Sequence, residues 1–247
     1  MEPIPARIEE AIAAGVQTGP SCPFSEARGL ATPGDDGAGD TVVRQADGTL
    51  FVACRTEMPG VTPAMWDWWF GWHSYTSERY QLWHPKEHLW SALRDDRLHL
   101  TNDRERYIGN ISYVDEFIGP KFQRLSIAFV APAAFGFDPS AVNAIGTAIC
   151  ARTSLRRERA DAGRLIHLVR KTATGSEMLS RFWIGEIDSR IPGLRIPLNA
   201  LLNRPAVRRH LLPDVDGLHL LRHCSDEMNH LARILPALYE RFGTIHP

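Results

Sequence analysis

Leu220-Leu-Arg-His-Cys-Ser-Asp-Glu-Met-Asn-His230 is the stretch whose reading decides the fold. Around it Leu221, Cys224, Met228, Leu231, Leu235 and Leu238 recur at steps of three and four, the buried stripe of an amphipathic helix. A long terminal helix is expected from about Asp214, bent or ended near Pro236, whose ring cannot continue the backbone ladder. Such a helix must bury its stripe against another layer. The chain upstream supplies one in segments with strand character: Tyr107 to Phe117, Gln123 to Val130, Ala144 to Ser154, Arg164 to Arg170 and Met178 to Ile187. Several alternate polar with apolar, as in an antiparallel sheet with one face on a core or cavity. The expected architecture is α+β, a curved antiparallel sheet gripping the C-terminal helix.

Further upstream, Thr41 to Gln45 and Leu50 to Arg55 flank Asp47-Gly48, the signal of a hairpin. The compact domain is therefore expected to span residues 41–247. Residues 6–15 suit a short helix, after which Gly19-Pro20, Pro33-Gly-Asp-Asp-Gly37 and Gly39 break the pattern. Residues 1–40 read as an arm or a small appendage. Thr62-Pro63 reads as an N-cap with proline at the first helical position, starting a helix toward Tyr80. Six of the seven tryptophans fall between Trp66 and Trp90, which suits either core packing or an aromatic-lined pocket for a ring-shaped ligand.

With 247 residues, 44% of them hydrophobic and 23% charged, the chain can bury a full core. A formal net charge of -1 offers no basic field for nucleic acid or an anionic membrane. Cys22, Cys54, Cys150 and Cys224 are widely separated and read as reduced, mostly buried thiols. The acidic start, Met1-Glu-Pro-Ile-Pro-Ala-Arg-Ile-Glu-Glu, lacks the pattern of a signal peptide, and no stretch is long and apolar enough to span a bilayer. A cytoplasmic location is expected.

His223 and Glu227 carry the chemistry. Their i,i+4 spacing puts an imidazole and a carboxylate on one helix face, within reach of one metal ion. Leu82-Trp-His-Pro-Lys-Glu-His88 and Asp115-Glu116 are the sources for further ligands, and together they point to a hydrolytic zinc site. His219 and His223 are also one turn apart, so spacing leaves open whether the helix offers His-His or His-Glu. A solvated polar flank would look the same. Asp115 and Glu116, adjacent in a strand, must point to opposite faces, and an inward carboxylate calls for a compensating cation. His167, among Leu165-Ile-His-Leu-Val169, is either a core histidine with a satisfied hydrogen bond or a cavity residue able to move a proton.

Four motifs in order carry a resemblance: Met58 to His73, Arg79 to His88, Asp115-Glu-Phe-Ile-Gly119 and His223-x-x-x-Glu227. Together they resemble the diacetylphloroglucinol hydrolase family, which includes phloretin hydrolases, over roughly residues 45 to 245. The resemblance implies a helix-grip fold like that of the birch-pollen allergen and START proteins, with zinc (Zn2+) inside the cavity. By position it implies His84, Glu116, His223 and Glu227 as metal ligands and His167 as the catalytic histidine. It implies a substrate pocket that includes Tyr80, Glu87, His88 and Phe182 or Trp183. Glu87 stands where the family has an asparagine, and Phe182 or Trp183 where it has a tyrosine. The N-terminal region, which serves dimer formation in the better-known members, is shorter here, so a homodimer is left open.

The implied reaction is hydrolysis of the bond between an acyl group and a polyhydroxylated ring of a small phenolic ketone. Two rival readings of the same fold are a non-catalytic carrier of hydrophobic or phenolic ligands and a polyketide cyclase acting without metal.

Overall fold

The computed structural model describes residues 2–19, 23–32, 38–155 and 160–243. Cys22, Pro20 and the Pro33–Gly37 breaker run lie outside them. Among the described residues, eight strands form one antiparallel sheet in the order β1-β2-β8-β7-β6-β5-β4-β3. They are β1 (Thr41–Arg44), β2 (Leu50–Pro59), β3 (His88–Leu93), β4 (Ile111–Ile118), β5 (Lys121–Val130), β6 (Gly146–Leu155), β7 (Ala160–Thr172) and β8 (Gly175–Ser189). From β3 to β8 the sheet is a meander, and β8 closes it by pairing with β2.

The β1–β2 turn follows from its residues. Asp47 Oδ1 accepts the Thr49 N–H at 3.0 Å, and Gly48 has φ 87°, a conformation that costs glycine little. A Cβ on Gly48 would also meet the Pro205 carbonyl oxygen at 2.8 Å.

Helix α1 (Ala6–Ala14) precedes the sheet, and the crossover from β2 to the opposite edge is made by α2 (Pro63–Trp72) and α3 (Ser77–Trp83). Thr62 Oγ1 accepts the Met65 N–H and Pro63 opens α2, as the sequence predicts. The helix expected to continue to Tyr80 is interrupted by a 3-10 turn at His73–Tyr75, and Thr76 caps a new one. Trp66, Trp68 and Trp69 are fully buried. Of the six tryptophans between Trp66 and Trp90, only Trp83 lines the cavity described below. The others answer to packing or surface.

Four helices complete the chain before the last: α4 (Asp103–Tyr107), α5 (Pro139–Ile145), α6 (Arg195–Leu202) and α7 (Pro205–Leu211). Tyr107, expected to begin a strand, ends α4, because the Asn102 side chain caps that helix through the Arg104 N–H. The last helix, α8 (Asp214–Phe242), runs through Pro236 to Phe242. Proline there removes one N–H, and Leu235 beside it stays fully buried in the core. Leu221, Cys224, Met228, Leu231 and Leu235 are all fully buried, each large side chain worth roughly 2 kcal/mol of burial. They pack with Val52, Cys54 and the tryptophans of α2, so the sheet grips α8 as expected.

Alternation along β2, β7 and β8 sends the other residues to a second core on the opposite face, where Phe51, Ile166 and Trp183 meet Phe135 and Phe137. Ala27, Leu30 and Ala31, from the 3-10 segment Phe24–Ala31, cover this face. Ile8 of α1 is fully buried in the first core, and Gln17 bridges Val43. The described parts of residues 1–40 therefore pack on the domain, α1 against α8 and β1, and Phe24–Ala31 against the opposite face of the sheet. Cys54, Cys150 and Cys224 are free and buried. No described helix is long and apolar enough to cross a membrane.

Candidate active site

Between α8 and the sheet lies a cavity of about 750 Å3. One end is built by three local devices. Helix α3 ends at His84, whose φ of -139° and ψ of 86° turn the chain out of the helix before Pro85, as expected of a residue preceding proline. The turn is closed by the His88 N–H donating to the His84 carbonyl at 3.0 Å, and His88 enters β3 directly opposite Glu116 of β4. A register shift between His88 and Trp90 re-aims the first side chain of the strand, as bulges do.

Glu116 faces inward at 6% exposure, while Asp115 turns to the other face near Arg124. Tyr80 stacks on the His88 ring at 3.9 Å and donates its hydroxyl hydrogen to Glu116 Oε2. From α8, His223 and Glu227 enter the same cluster, both under a tenth exposed. The polar flank of the helix is therefore the floor of a cavity, not a solvated face. His219 is not in this group; its ring packs against Gly119 in the β4–β5 turn.

His88 Nδ1 lies 3.1 Å from the Tyr80 carbonyl, which can only accept, so Nδ1 carries the proton and Nε2 the lone pair. That Nε2 is buried without a hydrogen-bond partner. It lies 3.4 Å from Glu227 Oε2 and 3.6 Å from Glu116 Oε2, and His223 Nε2 is 3.7 Å from Glu227 Oε2. Without an ion this crowding is relieved only by protons, on Glu227 and on the His223 ring, and a metal ion would replace them. The His88, His223 and Glu227 ligand atoms all fall within 4.8 Å of one another, and Glu116 adjoins them: two imidazole nitrogens and two carboxylates, a donor set that fits a metal ion.

His84 stands differently. Its Nδ1 accepts the Glu87 N–H at 3.1 Å, so its Nε2 carries the proton; that Nε2, 3.4 Å from Glu87 Oε2, is also buried without a hydrogen-bond partner. A protonated nitrogen is not a metal ligand. His84 joins Glu87 and His223 in a second group close enough to hold an ion, which shares His223 with the group of His88 and Glu227. Glu87 does not line the cavity; its Oε2 lies 2.6 Å from His223 Nδ1.

The electrostatics follow from burial and crowding. Burial pushes the Glu227 carboxyl up to about 8, with Glu116 adding to the shift against the pull of His223. Burial likewise raises Glu116. For His223 in the metal-free cluster burial opposes the charge, but Glu227, the Glu87 hydrogen bond and Glu116 outweigh it and lift the ring to about 9, so the ring is charged there and a bound ion would take the place of its Nε2 proton. His88 is held well below the usual histidine value by burial and then by His223, which leaves it neutral.

On the facing strands, His167 of β7 sits opposite Ser180 of β8, and His167 Nδ1 lies 2.9 Å from Ser180 Oγ. Its ring lines the cavity, edge-on to Phe182 at 5.7 Å. Burial alone lowers it to about 3, so it is neutral at working pH. Phe182 lines the cavity, whereas its neighbour Trp183 points through the sheet to the second core, 5.3 Å from both Phe24 and Phe51. Period-two alternation makes only one of the two a pocket residue. His73, not singled out from the sequence, also lines the cavity; its Nδ1 is 2.8 Å from the Trp69 carbonyl. Its signal was local: it stands one turn after Trp69 on a buried helix.

Fold and site together define a helix-grip protein whose cavity ends in a buried histidine–carboxylate cluster able to hold a metal ion. The chain belongs to the family described as DAPG hydrolase PhiG domain, which it matches over residues 23–240. It is 31% identical over 205 residues to the 2,4-diacetylphloroglucinol hydrolase of Pseudomonas protegens, covering 78% of this chain and 65% of that protein. It is 33% identical over 202 residues to the phloretin hydrolase of Eubacterium ramulus, covering 78% and 69%. The chain thus spans about two thirds of the length of these relatives. Among solved structures, the crystal structure of Ara h 8.0201 overlays with a TM-score of 0.38 and 13% identity, across 75% of this chain and 99% of that one.

Proposed function

We propose that the protein is a zinc-dependent hydrolase that cleaves the carbon–carbon bond between an acyl group and a polyhydroxylated aromatic ring. The products are a carboxylic acid and the deacylated phenol. The observation that carries this reading is His88 Nε2, buried without a partner and facing two carboxylates at the end of a cavity. The chain's relatives, named for hydrolysis of diacetylphloroglucinol and phloretin, support the same reaction class.

The proposed ligands are His88, Glu116, His223 and Glu227, a mixed nitrogen and oxygen set of the kind catalytic zinc takes. His88 replaces His84 in the set because of their opposite tautomers. When bound, the ion would supply Lewis acidity, lowering the pKa of water or polarising a carbonyl or phenolate oxygen. The Tyr80 hydroxyl holds Glu116 in place from the side. Phe182, Phe70 and Trp83 wall the space beside the cluster and suit an aromatic ring.

Cleavage adds the oxygen of water to the acyl carbon, breaks its bond to the ring carbon, and leaves one proton on that ring carbon. Hydroxyls flanking the acyl-bearing carbon let the ring react as its keto tautomer, so the ring carbon departs as an enolate and no aryl anion forms. A neutral imidazole can take a proton from a ring hydroxyl and deliver it to the ring carbon. His167 has that role, with Ser180 fixing Nδ1 and leaving Nε2 for the substrate.

The apolar walls of the cavity also suit a ligand carrier, but a carrier has no use for two buried carboxylates beside a histidine, whose burial is costly. The test is metal analysis of protein purified without added metal, then incubation of the zinc form with acylphloroglucinols, phloretin and plain acetophenone. Released acid and deacylated ring are read by mass spectrometry. Cleavage confined to the polyhydroxylated ketones is expected. Binding without cleavage returns the carrier, and a protein that holds no metal and cleaves none of these ketones leaves the cyclase in its place.

A further inference from the structure

Resting on the hydrolase reading, we infer that the acyl group taken by this site is a long unbranched aliphatic chain of about eight to ten carbons, well beyond acetyl. The first ground is size. A cavity of about 150 Å3 suffices for a benzene ring, and this one holds about 750 Å3. A ring bearing an acetyl group leaves most of it unfilled.

The second ground is how the lining is partitioned. The aromatic side chains of the lining, Phe70, Tyr80, Trp83, Phe129 and Phe182, connect ring to ring with His88 and His167, at the histidine–carboxylate end. Where β8 meets α6 the walls carry Ile184 and Ile187 of β8, Leu198 and Leu202 of α6, and Leu212 and Leu220 beside and on α8, with Ser189 the polar residue among them, while Thr153 and Ser154 line the cavity from β6. Asp216, Leu220, His223 and Glu227 line the cavity from one face of α8, spaced i, i+4, i+7 and i+11. At 1.5 Å per residue that face is about 16 Å long. A ring and its carbonyl at the cluster leave about 10 Å, and an extended chain gains about 1.2 Å per bond. About eight methylenes fill it.

The third ground is charge. Both basic side chains on the distal wall are already paired: Lys121 Nζ with Asp216 at 2.6 Å, and Arg208 with Asp47 at 3.0 Å. Both charges are thus compensated within the protein, although Arg208 Nε has no hydrogen-bond partner, and an acidic tail would add an uncompensated charge where an alkyl chain adds none.

The experiment measures kcat/KM of the zinc form for acetyl-, butanoyl-, octanoyl- and decanoylphloroglucinol. Binding of the matching alkylphloroglucinols, which lack the ketone, is followed in parallel by quenching of tryptophan fluorescence. Each added methylene is expected to raise kcat/KM, and the affinity of the alkyl probe, roughly three- to fourfold, up to about eight to ten carbons. Leu198→Trp, which fills the aliphatic limb, is expected to erase the advantage of the long chains, so that within that variant octanoyl and decanoyl substrates are turned over no faster than acetyl; Leu202→Phe serves if circular dichroism shows that the first variant does not fold. Equal kcat/KM along the series overturns the inference and leaves the hydrolase reading standing. Affinity that climbs with chain length while no ketone is cleaved supports the aliphatic limb and overturns the hydrolase reading. Chain-length dependence unchanged in both filled variants overturns the placement.

Discussion

Glu87 Oε2 lies 2.6 Å from His223 Nδ1, while Nε2 of the same ring faces Glu227 at 3.7 Å. A carboxylate that accepts the Nδ1–H fixes the tautomer, aims the Nε2 lone pair into the cluster and raises its basicity. Glu87 therefore works behind the metal site, although its place in the sequence, three residues after His84, suggests a substrate contact. Glu87→Ala is expected to weaken zinc binding about 10- to 100-fold, as the loss of such a partner does. Glu87→Gln, which still accepts from Nδ1 without the charge, should fall between that variant and the parent. Competition with a chromogenic chelator measures both, and unchanged affinity in Glu87→Ala removes the role.

His84 and His88 are to be separated in the same way. His88→Ala is expected to leave the protein without stoichiometric zinc, and His84→Ala to retain it, because only His88 presents an unprotonated nitrogen to Glu116 and Glu227. Elemental analysis of the two variants, purified side by side, decides the matter. Zinc kept by His88→Ala and lost by His84→Ala would restore the assignment by sequence position.

How far the site could be read from the sequence depends on whether a residue's direction is set locally. His223 and Glu227 were legible because helical periodicity alone puts them on one face. The choice of Glu227 over His219 was not, since it depends on Gly119 packing against the His219 ring. Glu116 and Phe182 each had a neighbour of similar chemistry, and parity could say that one of each pair faces inward but not which. His84 and His88 differ by one turn and a register shift at the start of β3, a strand too short to announce itself. Helices α6 and α7, which wall the aliphatic end, went unread because Pro197 and Pro205 disguise them as loop. The grip itself was legible in the α8 stripe and the alternating strands.

His167 should be separable from the metal. It comes from β7, its Nδ1 is held by Ser180, and it has no place among the groups able to hold an ion. His167→Ala is expected to keep its zinc and lose roughly 10²- to 10⁴-fold in kcat, the range for a positioned proton-transfer group. Loss of zinc, or a wild-type rate, would refute the assignment. Ser180→Ala, which frees Nδ1, should cost less, because the imidazole itself remains.

Acid should destabilise the fold through its buried neutral histidines, and His73 allows this to be measured away from the metal ligands. Burial holds His73 at about 4, against the help of the Trp69 carbonyl, while the unfolded chain titrates near 6.5. Between those values the unfolded state binds a proton that the folded state refuses. The contribution is therefore fully present above about pH 6.5 and is lost as pH falls toward 4. From pH 6.5 to 5 it amounts to about 2 kcal/mol at 1.36 kcal/mol per unit. Glu227, raised to about 8, acts in the opposite direction, since its folded form binds the proton first, so the net slope of the parent protein alone does not isolate His73. The difference does: in urea unfolding with chelator present, His73→Gln is expected to lose about 2 kcal/mol less than the parent between pH 7 and pH 5. Parallel pH profiles for the two proteins would mean that His73 carries its proton in the folded state.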